Sequence, residues 1–235
     1  MFVSMWMTRD VLTVTPTATL AEIATLMMRR GIRRLPVVSA PGERGSLLGI
    51  VTHSDVLHAF PPDINPFAIN AAESIAAISA AADRVRLTAT ELMARDPHTT
   101  TPDAPIESAA RMMRDHKIGA LPVLSNHALV GLITESDIFR AMVEVFETRD
   151  RAVRVTFSLK PGEDVLPLVA DIARRRSLRV TSFMSLPQHE PPVCVVQLAG
   201  TQLDAALDDV WKSQHRVINV VQLNAPGETP AKGPA

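Results

Sequence analysis

The chain repeats itself. A shift of 86 positions lays MTRDVLTVTPTATL, from Met7, over MARDPHTTTPDAPI, from Met93. The same shift lays IRRLPVV, from Ile32, over IGALPVL, from Ile118. Thirteen of the 32 aligned positions between Met7 and Val38 are identical, without a gap. After a four-residue deletion, GIVTHSDV from Gly49 lies over GLITESDI from Gly131. Two copies that differ by one loop length imply duplication of a single structural unit. A period this long with only two copies excludes a solenoid.

Each copy reads as β-α-β-β-α. TVTP and TTTP are β-branched runs stopped by proline, hence extended. Leu20, Ile23, Ala24, Met27 and Met28 recur at helical spacing, and Ile106, Ala109, Ala110 and Met113 repeat that pattern. LPVV and LPVL are short strands, followed by the turns SAPGERGS and SNHA. LLGIVT and LVGLIT are apolar strands, and THSD and TESD each open a helix. The stretch between copies turns alanine-rich, and alanine is the best helix former, so a helix is expected over 70–84.

After Arg149 the pattern changes. RAVRVTFSL alternates as a strand does, and EDVLPLVADIARRR is helical. LRVTSFMSLP and PPVCVVQLAG are strands, TQLDAALDDVWKSQ is helical, and HRVINVVQL is a last strand. The order βαββαβ is the split-βαβ, ferredoxin-like pattern. The whole is α+β: repeat 1 over 1–60, a linker with the alanine-rich helix over 61–88, repeat 2 over 89–146, the βαββαβ domain over 150–224, and a Pro/Gly-rich tail over 225–235 that is expected to be disordered.

Composition removes whole classes of function. With 46% hydrophobic residues among 235, the chain can bury a core. A net charge of −1 gives no global field for nucleic acid or anionic membrane. No apolar run reaches about 18 residues, so no membrane span is expected, and the N-terminus does not read as a signal peptide. The single Cys194 fits a reducing cytosol and, inside PVCVV, an inert buried thiol. The histidines make no metal-ligating pair, and no nucleophile–base constellation is present, so an enzyme is not expected. The basic run Arg174–Arg176 with Arg179 lacks aromatic platforms and reads as a solvated helix end.

The chemistry lies at the strand-to-helix turns Thr52-His-Ser-Asp55 and Thr134-Glu-Ser-Asp137. One reading is a capping box, with the threonine capping the helix and the acid returning to the cap amide. The other is a ligand site: free amides at a helix start attract anions, a threonine hydroxyl can donate to phosphate, and an aspartate can accept from both ribose hydroxyls. His53, inside the first turn, is read as an exposed histidine.

With three motifs recurring twice in order, residues 1–146 resemble a pair of CBS domains, a Bateman module. The C-terminal region looks like an ACT-type regulatory domain, and the combination is similar to bacterial CBS–ACT proteins of the acetoin-utilisation type. The resemblance implies a pseudo-symmetric pair with two clefts for an adenine nucleotide (AMP, ADP or ATP) or related adenosyl ligand, with no metal beyond nucleotide-associated magnesium. The ribose-binding aspartate maps onto Asp55 and Asp137. The hydroxyls map onto Thr52 and Thr134, with Ser54 and Ser136 beside them. The adenine side maps onto Thr13, Val14, Thr15, Ile32, Arg33, Arg34 and Pro36 in copy one, and onto Thr99, Thr100, Thr101, Ile118, Gly119 and Pro122 in copy two. For the ACT-like region it implies a possible amino-acid site in the loop Lys160–Asp164, with sheet-edge dimerisation as the favoured use.

The expected function is a cytoplasmic regulatory sensor, homodimeric, acting on an unidentified enzyme, with no nucleic-acid or membrane partner. Two alternatives stand beside it: an amino-acid-sensing regulator with empty CBS clefts, and a ligand-free dimerisation subunit. The copies also differ at Arg33 and Arg34, which align with Gly119 and Ala120. The copy-one cleft is therefore expected to hold phosphate, and its counterpart to hold it poorly, with either arginine able to face solvent or pair with Asp10 or Glu43 instead.

Overall fold

The structure is a computed structural model describing residues 1–40, 46–61, 65–67, 78, 86–147 and 150–223. The helix expected over 70–84 (residue 78 apart), the tail over 225–235 and Glu43 lie outside the described residues. The chain divides into two compact units, Met1–Ala141 and Met142–Ala235.

In the first unit, copy one contributes α1 (Leu20–Arg30), β1 (Arg34–Val38), β2 (Leu47–Thr52) and α2 (His53–Ala59). Thr19 and Glu22 close a capping box at the start of α1, and Gly31 ends it at φ +63°, where glycine carries no Cβ penalty. Leu20, Ile23, Ala24 and Met27 form its buried stripe. Copy two contributes α3 (Ala89–Leu92), β3 (Ala94–Arg95), α4 (Ile106–His116), β4 (Ala120–Ser125), β5 (Ala128–Thr134) and α5 (Glu135–Phe146). β1 pairs with β2 and β4 with β5, both antiparallel, with an irregularity at the equivalent points Val37/Val38 and Val123/Leu124. The extended runs upstream form no full strand. Each makes a single parallel bridge, Val14 to Val37 and Thr100 to Val123, before its proline.

The two copies exchange their leading segments. Met7-Thr8 of copy one crosses to copy two, where Thr8 bridges Leu132 and both Val3 and Met7 enter the core around Leu121, Val123 and Ile133. In return, β3 of copy two pairs with β2 of copy one, and Ala89 enters the core around Ile23, Leu35 and Val51. The Leu20 amide donates to Leu87 O and the Ala89 amide to Ala18 O, both at 2.8 Å. The exchange explains two glycines. A Cβ on Gly131 would stand 2.5 Å from Met7 Sδ, and one on Gly49 would stand 2.6 Å from Met93 Sδ and 2.7 Å from Ala94 O. Glycine at both places lets the incoming segment lie against the strand.

The second unit follows the expected βαββαβ order: β6 (Ala152–Ser158), α6 (Leu166–Arg175), β7 (Arg179–Leu186), β8 (Val193–Ala199), α7 (Leu203–Lys212) and β9 (Arg216–Leu223). The sheet runs β7-β8-β6-β9 with every neighbour antiparallel, which is the split-βαβ topology. Val155, Phe157, Val196 and Leu198 of the sheet pack against Val169, Ile172, Ala206 and Val210 of the helices. The basic run is consumed in ion pairs: Arg174 and Arg175 hold Asp171, and Arg176 holds both oxygens of Asp209 at 2.9 Å. Arg179 pairs with Asp150. Burial pushes the Cys194 thiol up to about 11, so it is inert at neutral pH. No helix among the described residues is long and apolar enough to cross a membrane.

Candidate functional site

Two clefts in the first unit are related by the repeat. The first, of about 820 Å³, is lined by Arg33, Arg34, Thr52, His53, Ser54 and Asp55 of copy one, and by residues 94–98 and 117–120 of copy two. The second, of about 540 Å³, is lined by Leu132, Thr134 and Ser136 of copy two, by Gly31 to Arg34 of copy one, and by Thr8 with residues 10–12. Segment exchange builds both. The leader that crosses to a sheet forms one wall, and the strand-to-helix turn of that sheet forms the other.

The structure thus gathers Arg33, Arg34, Thr52, Ser54, Asp55, Ile118 and Gly119 in the first cleft, and Ile32, Arg33, Arg34, Thr134 and Ser136 in the second. It separates the rest of the expected set. Thr13 lines a third cleft, of about 650 Å³, with Val38 and the β4–β5 turn. Val14, Thr15, Pro36, Thr99, Thr100, Thr101, Pro122 and Asp137 line none of these three. Their backbones are already engaged: the Val14 amide donates to Pro36 O, and the Thr100 amide to Pro122 O, both at 3.0 Å. Residues not singled out in the sequence line the first cleft instead, among them Arg95, Asp96, His98 and Lys117. For Arg95 and Asp96 the signal was the shared M-x-R-D of the two leaders.

Both turns form the capping box. In copy one, Asp55 Oδ2 accepts from the Thr52 amide and hydroxyl, each at 2.7 Å, and the Asp55 amide returns to Thr52 Oγ1 at 3.4 Å. In copy two, Asp137 Oδ2 accepts from the Thr134 amide at 2.9 Å and hydroxyl at 2.8 Å. The first helical amides are largely spent, because His53 donates to Arg33 O and Glu135 to Gly119 O. Free amides therefore contribute less to an anion site than the sequence pattern implied.

The second oxygens differ. Asp137 is buried, and its Oδ1 accepts from Arg140 Nη2 at 3.0 Å. Arg140 is itself fixed by Trp6 O at 3.0 Å and lies over the Trp6 ring. Asp55 is half-buried and lines its cleft, and its Oδ1 has no hydrogen bond among the described residues. Copy one has His58 where copy two has Arg140.

The arginines correct the expected asymmetry. Arg33 and Arg34 line both clefts, and Gly119 and Ala120 line the first, not the second. The first cleft is still the more cationic, because Arg95 and Lys117 join the pair. Arg33 is exposed and Arg34 half-buried, and among the described residues the ion-pair partner of Arg34 is Glu135, at 3.8 Å, not Asp10. His53 is half-buried and stacks on Phe67 with centroids 3.9 Å apart. Burial, and then the Arg33 charge, hold its pKa below the usual histidine range. Among the described residues no cluster of histidine, cysteine and carboxylates could hold a metal.

In the second unit, the loop Lys160–Asp164 is closed on itself. Glu163 Oε2 accepts from the Lys160 amide at 2.7 Å, and its Oε1 lies 2.6 Å from His215 Nδ1. Gly162, at φ +80°, supplies the turn.

Comparison with known proteins turns on the two repeats. The CBS-domain family model matches residues 3–62 and 89–144. The chain carries a tandem pair of CBS domains. The chain is 32% identical over 171 residues to inosine-5'-monophosphate dehydrogenase of Korarchaeum cryptofilum, a match taking in 72% of this chain and 29% of that enzyme. An uncharacterised protein of Methanocaldococcus jannaschii is 34% identical over 136 residues, 57% of this chain and 45% of that protein. The chain thus spans less than half the length of these curated relatives. Among solved structures, a Vibrio cholerae protein ascribed to acetoin utilization (AcuB) is 30% identical, with 62% of this chain and 93% of that chain covered at a TM-score of 0.48.

Proposed function

We propose that this protein is a regulatory, non-catalytic sensor whose first cleft binds an adenosine-type nucleotide: AMP, ADP, ATP or a related adenosyl ligand. The observation that carries the reading is Asp55. One of its oxygens caps α2, and the other has no hydrogen-bond partner among the described residues and stands at the wall of the cleft that also holds Thr52, Ser54 and four cationic side chains. A carboxylate with a free oxygen suits a ribose diol, and arginine suits phosphate through its planar fork. The second cleft offers Thr134 and Ser136 with two cations, and its aspartate is withdrawn into the Arg140 pair.

The βαββαβ unit serves as an ACT-like module, and the chain acts as a cytoplasmic homodimer that passes the state of the cleft to a regulated enzyme. The exposed apolar side chains Val180, Phe183 and Leu186 of β7, and Ile218 and Val221 of β9, support an associating role for that sheet. A ligand shifts such a protein only through its different affinity for two states.

Thermal-shift titration with AMP, ADP, ATP, S-adenosylmethionine, cyclic dinucleotides and amino acids tests the reading. A ligand at 100 times its Kd stabilises by about 2.7 kcal/mol. The expected result is a rise in melting temperature with at least one adenosyl compound and none with amino acids. A response to amino acids alone would transfer sensing to the second unit.

A further inference from the structure

Arg34 occupies a position that the sequence alone does not reveal. It lies between the clefts and lines both. Its guanidinium reaches across the repeat interface to Gly119, where a Cβ would stand 2.0 Å from Nη2 and 2.8 Å from Glu135 Oε2. Glycine at 119 thus keeps open the space in which Arg34 meets Glu135. The pair is loose. Nη2 and Oε2 are 3.8 Å apart, beyond hydrogen-bond distance, and the Glu135 side chain is 67% exposed. A pair of this kind contributes little to stability and is readily exchanged for a better anion.

We infer that Arg34 is the specificity residue that makes binding depend on phosphate, and that Glu135 is its built-in competitor. The inference rests on the nucleotide reading of the first cleft. A phosphate there can take two parallel N–H bonds from the guanidinium, which the distant Glu135 oxygen does not. Arg34 leaves Glu135 as the phosphate arrives. A ligand without phosphate leaves the pair intact and gains nothing from it. Copy one has His53 where copy two has Glu135, so the competitor exists on one side only.

Calorimetric titration of adenosine and AMP against the wild-type chain, Arg34→Ala, Glu135→Gln and the double variant tests this. Arg34→Ala is expected to weaken AMP binding about tenfold to a hundredfold, with adenosine unchanged. Glu135→Gln, a change at an exposed side chain, is expected to tighten AMP binding by about twofold to fivefold, with adenosine again unchanged. In the Arg34→Ala background the Glu135→Gln gain should vanish, because coupled residues do not add. Equal losses for adenosine and AMP in Arg34→Ala, an unchanged AMP affinity in either single variant, or a gain from Glu135→Gln that persists without Arg34 would each overturn the inference while the nucleotide reading stands. Binding of neither compound to the wild-type chain would overturn the inference, and the nucleotide reading would fall with it only if ADP, ATP and S-adenosylmethionine also failed to bind.

Discussion

Asp55 and Asp137 occupy the same place in two copies of one motif, and each caps its helix through Oδ2. Their remaining oxygens separate them. Arg140, one helical turn after Asp137, takes Oδ1 and is anchored in turn on Trp6 of the exchanged leader. His58 stands at the matching place after Asp55 and makes no such bond among the described residues. A duplicated turn can therefore keep its structural role in both copies and keep a free acceptor in only one. The change sits one helical turn away from the motif, which is the spacing at which helix side chains meet.

The largest expected effect is on binding. Asp55→Ala should cost about 1.5–3 kcal/mol of AMP affinity, the worth of charge-assisted hydrogen bonds. Asp137→Ala should leave calorimetric AMP affinity nearly unchanged. Equal losses at the two aspartates would erase the distinction between the clefts.

Next come the glycines that admit the exchanged segments. Gly49→Ala presses a Cβ against backbone, at 2.7 Å from Ala94 O, whereas at Gly131 the nearest backbone atom is Thr8 O at 3.1 Å and the closest atom is a movable Met7 sulfur. Overpacking of this kind costs about 1–3 kcal/mol, and Gly49→Ala should lie at the upper end with Gly131→Ala near the lower. Urea unfolding would check the order, and a reversal would mean that the contact at Gly131, not the one at Gly49, is the less yielding.

A smaller effect is on stability. Asp137→Ala removes a cap worth about 1 kcal/mol and also the ion pair with Arg140, so it should lower the melting temperature more than Asp55→Ala does. The smallest concerns pH. The His53 pKa is depressed by burial and by Arg33, so the folded chain binds its proton less readily than the unfolded chain. Stability should be full above about pH 6.5 and fall as pH drops below it toward the lower folded-state pKa. His53→Gln should flatten that part of the melting-temperature profile, while Glu135→Gln, at the aligned position, should not.

Much of the fold was legible in the residues. The repeat, the helical stripes of α1 and α4 and the βαββαβ order follow from spacing and β-branched content alone. The exchange of leaders was not. A two-residue strand such as Ala94-Arg95 has no periodicity, and nothing local states which copy's sheet it joins. Which residues wall the first cleft was hidden with it. Thr100 turned inward against β4, while Asp96 to His98, a few residues before it, became the cleft wall. The capping box was legible as a motif, but which aspartate keeps an open oxygen depended on Arg140 against His58, a pair that the aligned sequences contain and that only packing makes decisive. The sharing of Arg33 and Arg34 likewise depends on the crossing of the two copies, because the two arginines stand at the start of β1 in sequence yet line both clefts.

The most direct measurement is a crystal structure of the chain with AMP. The account predicts one nucleotide per chain, in the cleft walled by Thr52, Asp55 and residues 94–98, with the ribose hydroxyls on Asp55 Oδ1 and the phosphate on Arg34. Nucleotide found only against Thr134 and Ser136, or seated away from Asp55, would contradict it.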